Sequence, residues 1–135
     1  MQRLVALVLA GIAWGALAYL FGARAIGSVI WPGILAAPAI GPAVGALTQD
    51  LFERTVSWRR WLVALASLYA GGFLFALVLG VYDSVVRFHG TRSVLATLGE
   101  TQAMVVWGIT LTGFILFLWP LTYFTHFVVE WMEHR

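Results

Sequence analysis

Residues 4–22, 25–49, 61–82 and 103–125 contain no Asp, Glu, Lys, Arg or His. Each run meets or exceeds the roughly 18–20 residues needed to cross about 30 Å of hydrocarbon. The pattern predicts an all-α integral membrane protein with four transmembrane helices, at about 4–22, 25–48, 61–82 and 103–125. They are expected to form an antiparallel up-down bundle, one membrane domain over residues 1–135. The first run lacks the polar region and small-x-small pattern of a cleaved signal peptide, and three more spans follow it. It is read as a retained helix.

The polar breaks between the runs differ in character. "GARAIGS" is short, so the first two spans should be antiparallel neighbours. "TQDLFERTVSWRR" carries both signs of charge, and Asp50, Glu53 and Arg54 read as a solvated surface. The 83–102 loop contains "TRSVLATLGE", where Thr or Ser could cap a short helix on the membrane surface; a plain connector is the alternative. The fourth span does not stop at the bilayer edge. Residues 103–130 would extend about 42 Å as one helix, too long for a perpendicular crossing. A kink is expected at Pro120, followed by an amphipathic cytoplasmic tail over 121–135. On that tail Thr122, His126, Glu130 and His134 form one polar stripe, with Leu121, Phe124, Val128 and Trp131 on the other side.

The second span carries "PGILAAPAIGPAVG", residues 32–45. If the backbone is helical, Pro32, Pro38 and Pro42 free the carbonyls of Ser28, Ile34 and Pro38, and bend the helix. Small residues recur at every fourth position: Gly33, Ala37, Gly41 and Gly45 here, Gly72, Ala76 and Gly80 on the third span, Gly11 and Gly15 on the first. Such stripes let helix backbones approach closely, a main source of association in lipid. At least one stripe is expected to meet another subunit. Trp14, placed level with Gly33 and Ala37, is expected to fill that groove and donate its indole N–H to a freed carbonyl. A discontinuous, cation-coordinating helix is the rival reading of the prolines.

Composition narrows the class further. The chain is 61% hydrophobic and 10% charged, against about a quarter charged in soluble domains, and its mean hydropathy is +0.91. Cysteine is absent, which removes disulfides and thiolate chemistry. A net charge of +2 without a basic tract gives no support for nucleic acid. Arg3, Arg54, Arg59, Arg60 and Arg135 fall on one side of the expected topology, and Arg24, Arg87 and Arg92 on the other. That bias places both termini in the cytoplasm of a bacterial inner membrane. Trp58 and Trp61 would then mark the cytoplasmic interface, with Trp31 and Trp107 near the opposite one.

No ionisable residue lies centrally in any span, and no nucleophile, metalloprotease or nucleotide motif is present. Catalysis and proton-coupled transport are therefore not expected. The residue with most chemical content is His126 in "YFTHFVVEW". It could ligate a haem iron or a (bacterio)chlorophyll magnesium, or form a surface metal site with Glu130 and His134. The structural alternative is an i,i+4 pair with Glu130 on an emerging helix. His89 falls on the opposite side of the membrane and cannot complete a bis-histidine site.

The architecture is similar to that of small membrane subunits of tripartite carboxylate transporters and accessory subunits of respiratory or photosynthetic complexes. No motif carries residues across. The expected function is a non-catalytic accessory subunit contacting other membrane subunits and lipids through small-residue and aromatic faces. A homo-oligomeric transporter or channel, and a cofactor-binding subunit acting through His126, remain the alternatives.

Overall fold

The computed structural model describes residues 1–26, 31–87 and 93–134, without the side chains of residues 21–26 and 87. The expectations placed on Ser28, His89, Arg92, Arg135 and the side chains of Arg24 and Arg87 lie outside the described residues. The described chain is helical almost throughout: α1 (Gln2–Ile26), α2 (Trp31–Arg54), α3 (Arg59–Tyr82), α4 (Val94–Gln102), α5 (Gly108–Leu111) and α6 (Ile115–Glu133). Two π-helical turns interrupt the series, Asp83–Arg87 after α3 and Ala103–Trp107 between α4 and α5.

Five stretches are long and apolar enough to cross a membrane: Gln2–Leu20, Trp31–Arg54, Arg59–Val86, Val94–Leu111 and Ile115–Glu133. The sequence pattern predicts four. The difference lies in the last forty or so residues. The loop helix expected on the membrane surface runs on through the π turn into α5, and the expected long fourth helix is cut at Thr112–Phe114. Gly113 takes a φ of +79°, a left-handed conformation that ends α5 and restarts the chain as α6. The cut therefore falls at a glycine rather than at Pro120, which lies within α6. Pro38 and Pro42 likewise lie inside α2, whereas Pro32 sits in its first turn, where a missing N–H leaves no helix bond unmade.

Side-chain pairings fix the order of the helices. Arg3 meets Asp50 and Gly11 meets Ala37, so α1 and α2 run antiparallel. Trp31 packs edge-on against Tyr82, Gly33 against Phe75, and Thr48 against Ser67, so α2 and α3 do the same. Gly80 abuts Leu98, while the Tyr69 and Thr110 hydroxyls share a hydrogen bond of 2.7 Å, so α4 and α5 descend along α3. Helix α6 then runs opposite to α1, with Thr125 at Trp14 and Glu133 at Arg3. Trp107, one residue before α5, is consequently at the depth of mid-α3 rather than near a membrane interface.

The small residues of α1 and α2 serve packing within this chain. A Cβ added to Gly11 would run into the carbonyl oxygen of Ala37, and one on Gly41 into that of Leu7. On Gly15 it would stand 2.7 Å from the Ala37 Cβ, and on Gly45 it would strike the Leu7 side chain. The Gly33 position is taken by the ring of Phe75, not by Trp14. On α3, Ala76 is buried and Gly80 closely faces Leu98, but a Cβ on Gly72 would meet only Ile109 at 3.9 Å. Gly72 is thus not a close-approach position.

Candidate functional site

The polar face of α6 turns inward. Thr122 and His126 are 7% and 6% exposed, while Leu116, Phe124 and Phe127 on the opposite side are 77%, 60% and 49% exposed. Thr122 and His126 therefore face the bundle rather than forming the polar side of an amphipathic tail emerging into the cytoplasm. In hydrocarbon it is the polar stripe that must be covered, because an unsatisfied polar group facing lipid costs several kcal/mol, roughly 2–7 by transfer.

His126 sits at the meeting point of α2, α3 and α6. Its Nδ1 lies 2.6 Å from the Gln49 amide oxygen and its Nε2 lies 2.7 Å from Ser67 Oγ. Gln49, fully buried, uses its amide N–H groups on Glu53 and on the His126 carbonyl, both at 3.1 Å. That fixes the amide oxygen towards the ring, so Nδ1 carries a proton and donates it. Ser67 lies 2.7 Å from Thr48, whose hydroxyl donates to the Val44 carbonyl. Phe52, with no exposed surface, stacks on the imidazole at 4.9 Å between centroids. Tyr123 meets Phe52 edge-on and stacks on Trp61, and Trp119 donates its indole N–H to the Trp61 carbonyl. The imidazole is therefore hydrogen-bonded on both nitrogens and covered by an aromatic wall.

Below this layer lies a charged one. Arg3 bonds Asp50 at 2.6 Å, Glu53 at 3.1 Å and Glu133 at 3.2 Å, tying α1, α2 and α6 together. Arg60 pairs with Glu130 at 3.2 Å and lies over the Phe52 ring. The expected His126–Glu130 pair is not made, since Glu130 is taken by Arg60 and His126 by Gln49 and Ser67. The weaker metal set of His126, Glu130 and His134 is not assembled either. His134 instead brings a nitrogen within 4.8 Å of Glu53 and Glu133 oxygens. The Arg3 guanidinium already contacts both carboxylates, supplying the positive charge that a metal ion would bring there.

Trp14 donates its indole N–H to Thr125 Oγ1 on α6, at 3.1 Å, and not to a carbonyl of α2. A threonine on the neighbouring helix offers a better acceptor than the recessed backbone behind Ala37. Above His126 the bundle holds an open-mouthed cavity of about 450 Å³. Its walls come from α1, α2, α3, the α4–α5 segment and α6, with Trp14, Phe75, Ile109, Leu118 and Val129 among them.

Gln49 and Ser67, the hydrogen-bond partners of His126, are not announced by any charge pattern in the sequence. Their signal was an uncharged polar side chain inside an apolar run. No protein-family model, no curated protein and no solved structure matches the chain.

Proposed function

We propose that this chain is a non-catalytic accessory subunit of a larger membrane assembly. In this reading it crosses a bacterial inner membrane four times, the last crossing broken at Gly113, with both termini in the cytoplasm. The observation that carries the proposal is the inversion of α6. Thr122 and His126 are buried in the bundle, with His126 bonded to Gln49 and Ser67, while Leu116, Phe117, Phe124 and Phe127 are exposed and present a broad apolar face outward. A face of this kind suits lateral contact with lipid and with apolar helices of partner subunits.

The cofactor reading is less well supported. Axial ligation by His126 would require breaking its bond to Gln49 or Ser67. An absorption spectrum of the native material, compared with His126→Ala, tests it directly. The transport reading predicts solute flux in proteoliposomes that changes with Pro38→Ala or Pro42→Ala.

The accessory reading is tested by affinity purification from native membranes in mild detergent. Copurification with other membrane proteins at a fixed stoichiometry is the expected result. A well-behaved monomer without any partner would reject it.

A further inference from the structure

Glycine is the poorest helix former after proline, so a glycine inside a helix calls for a reason. At Gly11, Gly15, Gly33, Gly41, Gly45 and Gly80 the reason is steric, because a Cβ would collide with a neighbour. Three others on the cavity wall have no such reason. A Cβ on Gly71 would come no nearer than 4.0 Å to Val44, one on Gly72 no nearer than 3.9 Å to Ile109, and one on Gly108 would meet nothing within 4 Å. What these three glycines have in common is the cavity. Side chains there would occupy it.

A volume of about 450 Å³ falls within the roughly 300–1,000 Å³ of small-molecule pockets. Close-packed interiors contain few voids larger than a water molecule. Water is a poor occupant, since it needs two to four polar partners. The hydroxyls of the wall donate inward to their own helix: Thr122 to the Leu118 carbonyl, Thr125 to Leu121 and Thr112 to Gly108. The Trp14 N–H is held by Thr125. Ser67 and His126, also on the wall, are hydrogen-bonded to each other, and the remaining wall is aliphatic, aromatic or glycine.

The mouth identifies the source of the occupant. Among the lining residues, Met104, Thr112, Phe114 and Phe117 are exposed, and all lie on the broken segment from the second π turn to α6. The Tyr69–Thr110 hydrogen bond sets that rim near the middle of the Arg59–Val86 span. The opening therefore faces the hydrocarbon of the bilayer rather than either aqueous side.

We infer that the cavity is a binding site for the hydrocarbon chain of a membrane lipid, entering sideways at the Thr112–Phe114 break. Gly71, Gly72 and Gly108 keep the channel for the chain open, and Phe114 and Phe117 flank its entrance. This site is independent of whether the protein has partner subunits.

The test uses the full chain in phosphatidylcholine vesicles containing a phosphatidylcholine whose acyl chain carries a photoactivatable diazirine near its end. Crosslinked peptides are mapped in the wild type and in Gly71→Leu and Gly72→Leu. Wild-type labelling is expected at inward positions such as Phe75 and Leu118 as well as at outward Leu35 and Leu47. In both variants inward labelling should fall about tenfold, equivalent to about 1.4 kcal/mol of lost occupancy, while outward labelling stays unchanged. Thermal stability should not fall, because the added Cβ atoms make only ordinary contacts at 3.9–4.0 Å and the rest of each side chain extends into the cavity. Labelling confined to outward positions in the wild type, or inward labelling indifferent to both substitutions, would overturn the inference. The wild-type map decides alone if a variant fails to fold.

Discussion

A single imidazole organises the polar interior. Because Gln49 is held by Glu53 and by the His126 carbonyl, its oxygen can only accept, and the ring must present Nδ1–H to it. Replacing Gln49 with Leu leaves that N–H without an acceptor and Glu53 with Arg3 in place of two donors. The expected loss is roughly 1–3 kcal/mol, read as a lower midpoint in thermal or detergent-induced unfolding. His126→Ala adds a void under Phe52 to the unpaired groups, so it should cost more, about 3 kcal/mol or above. His126→Gln, which retains hydrogen-bonding capacity, should recover part of this. Equal losses for all three substitutions would argue against a role for the network in holding α2, α3 and α6 together.

Among elements, the α1–α2 pair and the α5–α6 junction show two different uses of glycine. Gly41 permits backbone contact, so Gly41→Leu must push α1 away from α2 and should cost several kcal/mol, above the roughly 1–3 typical of overpacking because the obstacle is a carbonyl. The contrast with Gly72→Leu, whose Cβ would make only an ordinary contact with Ile109 at 3.9 Å, separates packing glycines from cavity glycines on the same fold. Gly113 is required for its backbone angle instead. Gly113→Ala has open space but the wrong sign of φ, so it should destabilise by about 1–2 kcal/mol. Hydrogen exchange on α5 and the first turn of α6 would report the loss locally. Pro120, where the sequence predicts a kink, lies inside α6, so the interruption of the last stretch belongs to Gly113.

For the molecule as a whole, one cation closes the base of the bundle. Arg3→Ala would leave Asp50, Glu53 and Glu133 facing one another without their shared partner. These groups are partly solvated, so the cost should be on the order of 1 kcal/mol. Its sign with pH follows from charge alone: protonating the carboxylates relieves their repulsion. The deficit of the variant relative to wild type should shrink as pH falls, and should also shrink in high salt. Unfolding midpoints across pH and ionic strength check both trends. A deficit that is flat in both would point to lost packing of the arginine stem instead.

The helical class and the first three helices long and apolar enough to cross a membrane were legible from the sequence, because long uncharged runs have few alternatives in water or lipid. The glycine stripes of α1 and α2 were also legible as close-packing surfaces, though not as surfaces for each other. Three features were decided only in the tertiary structure. The inward direction of Thr122 and His126 depends on what surrounds the helix, and a polar stripe alone reads equally well as facing water or facing a polar core. The partners of His126 come from residues 59 and 77 positions away, with no local spacing to announce them. The cavity is walled by residues from α1, α2, α3, α5 and α6, brought together by packing that no linear pattern of hydrophobic and polar residues encodes.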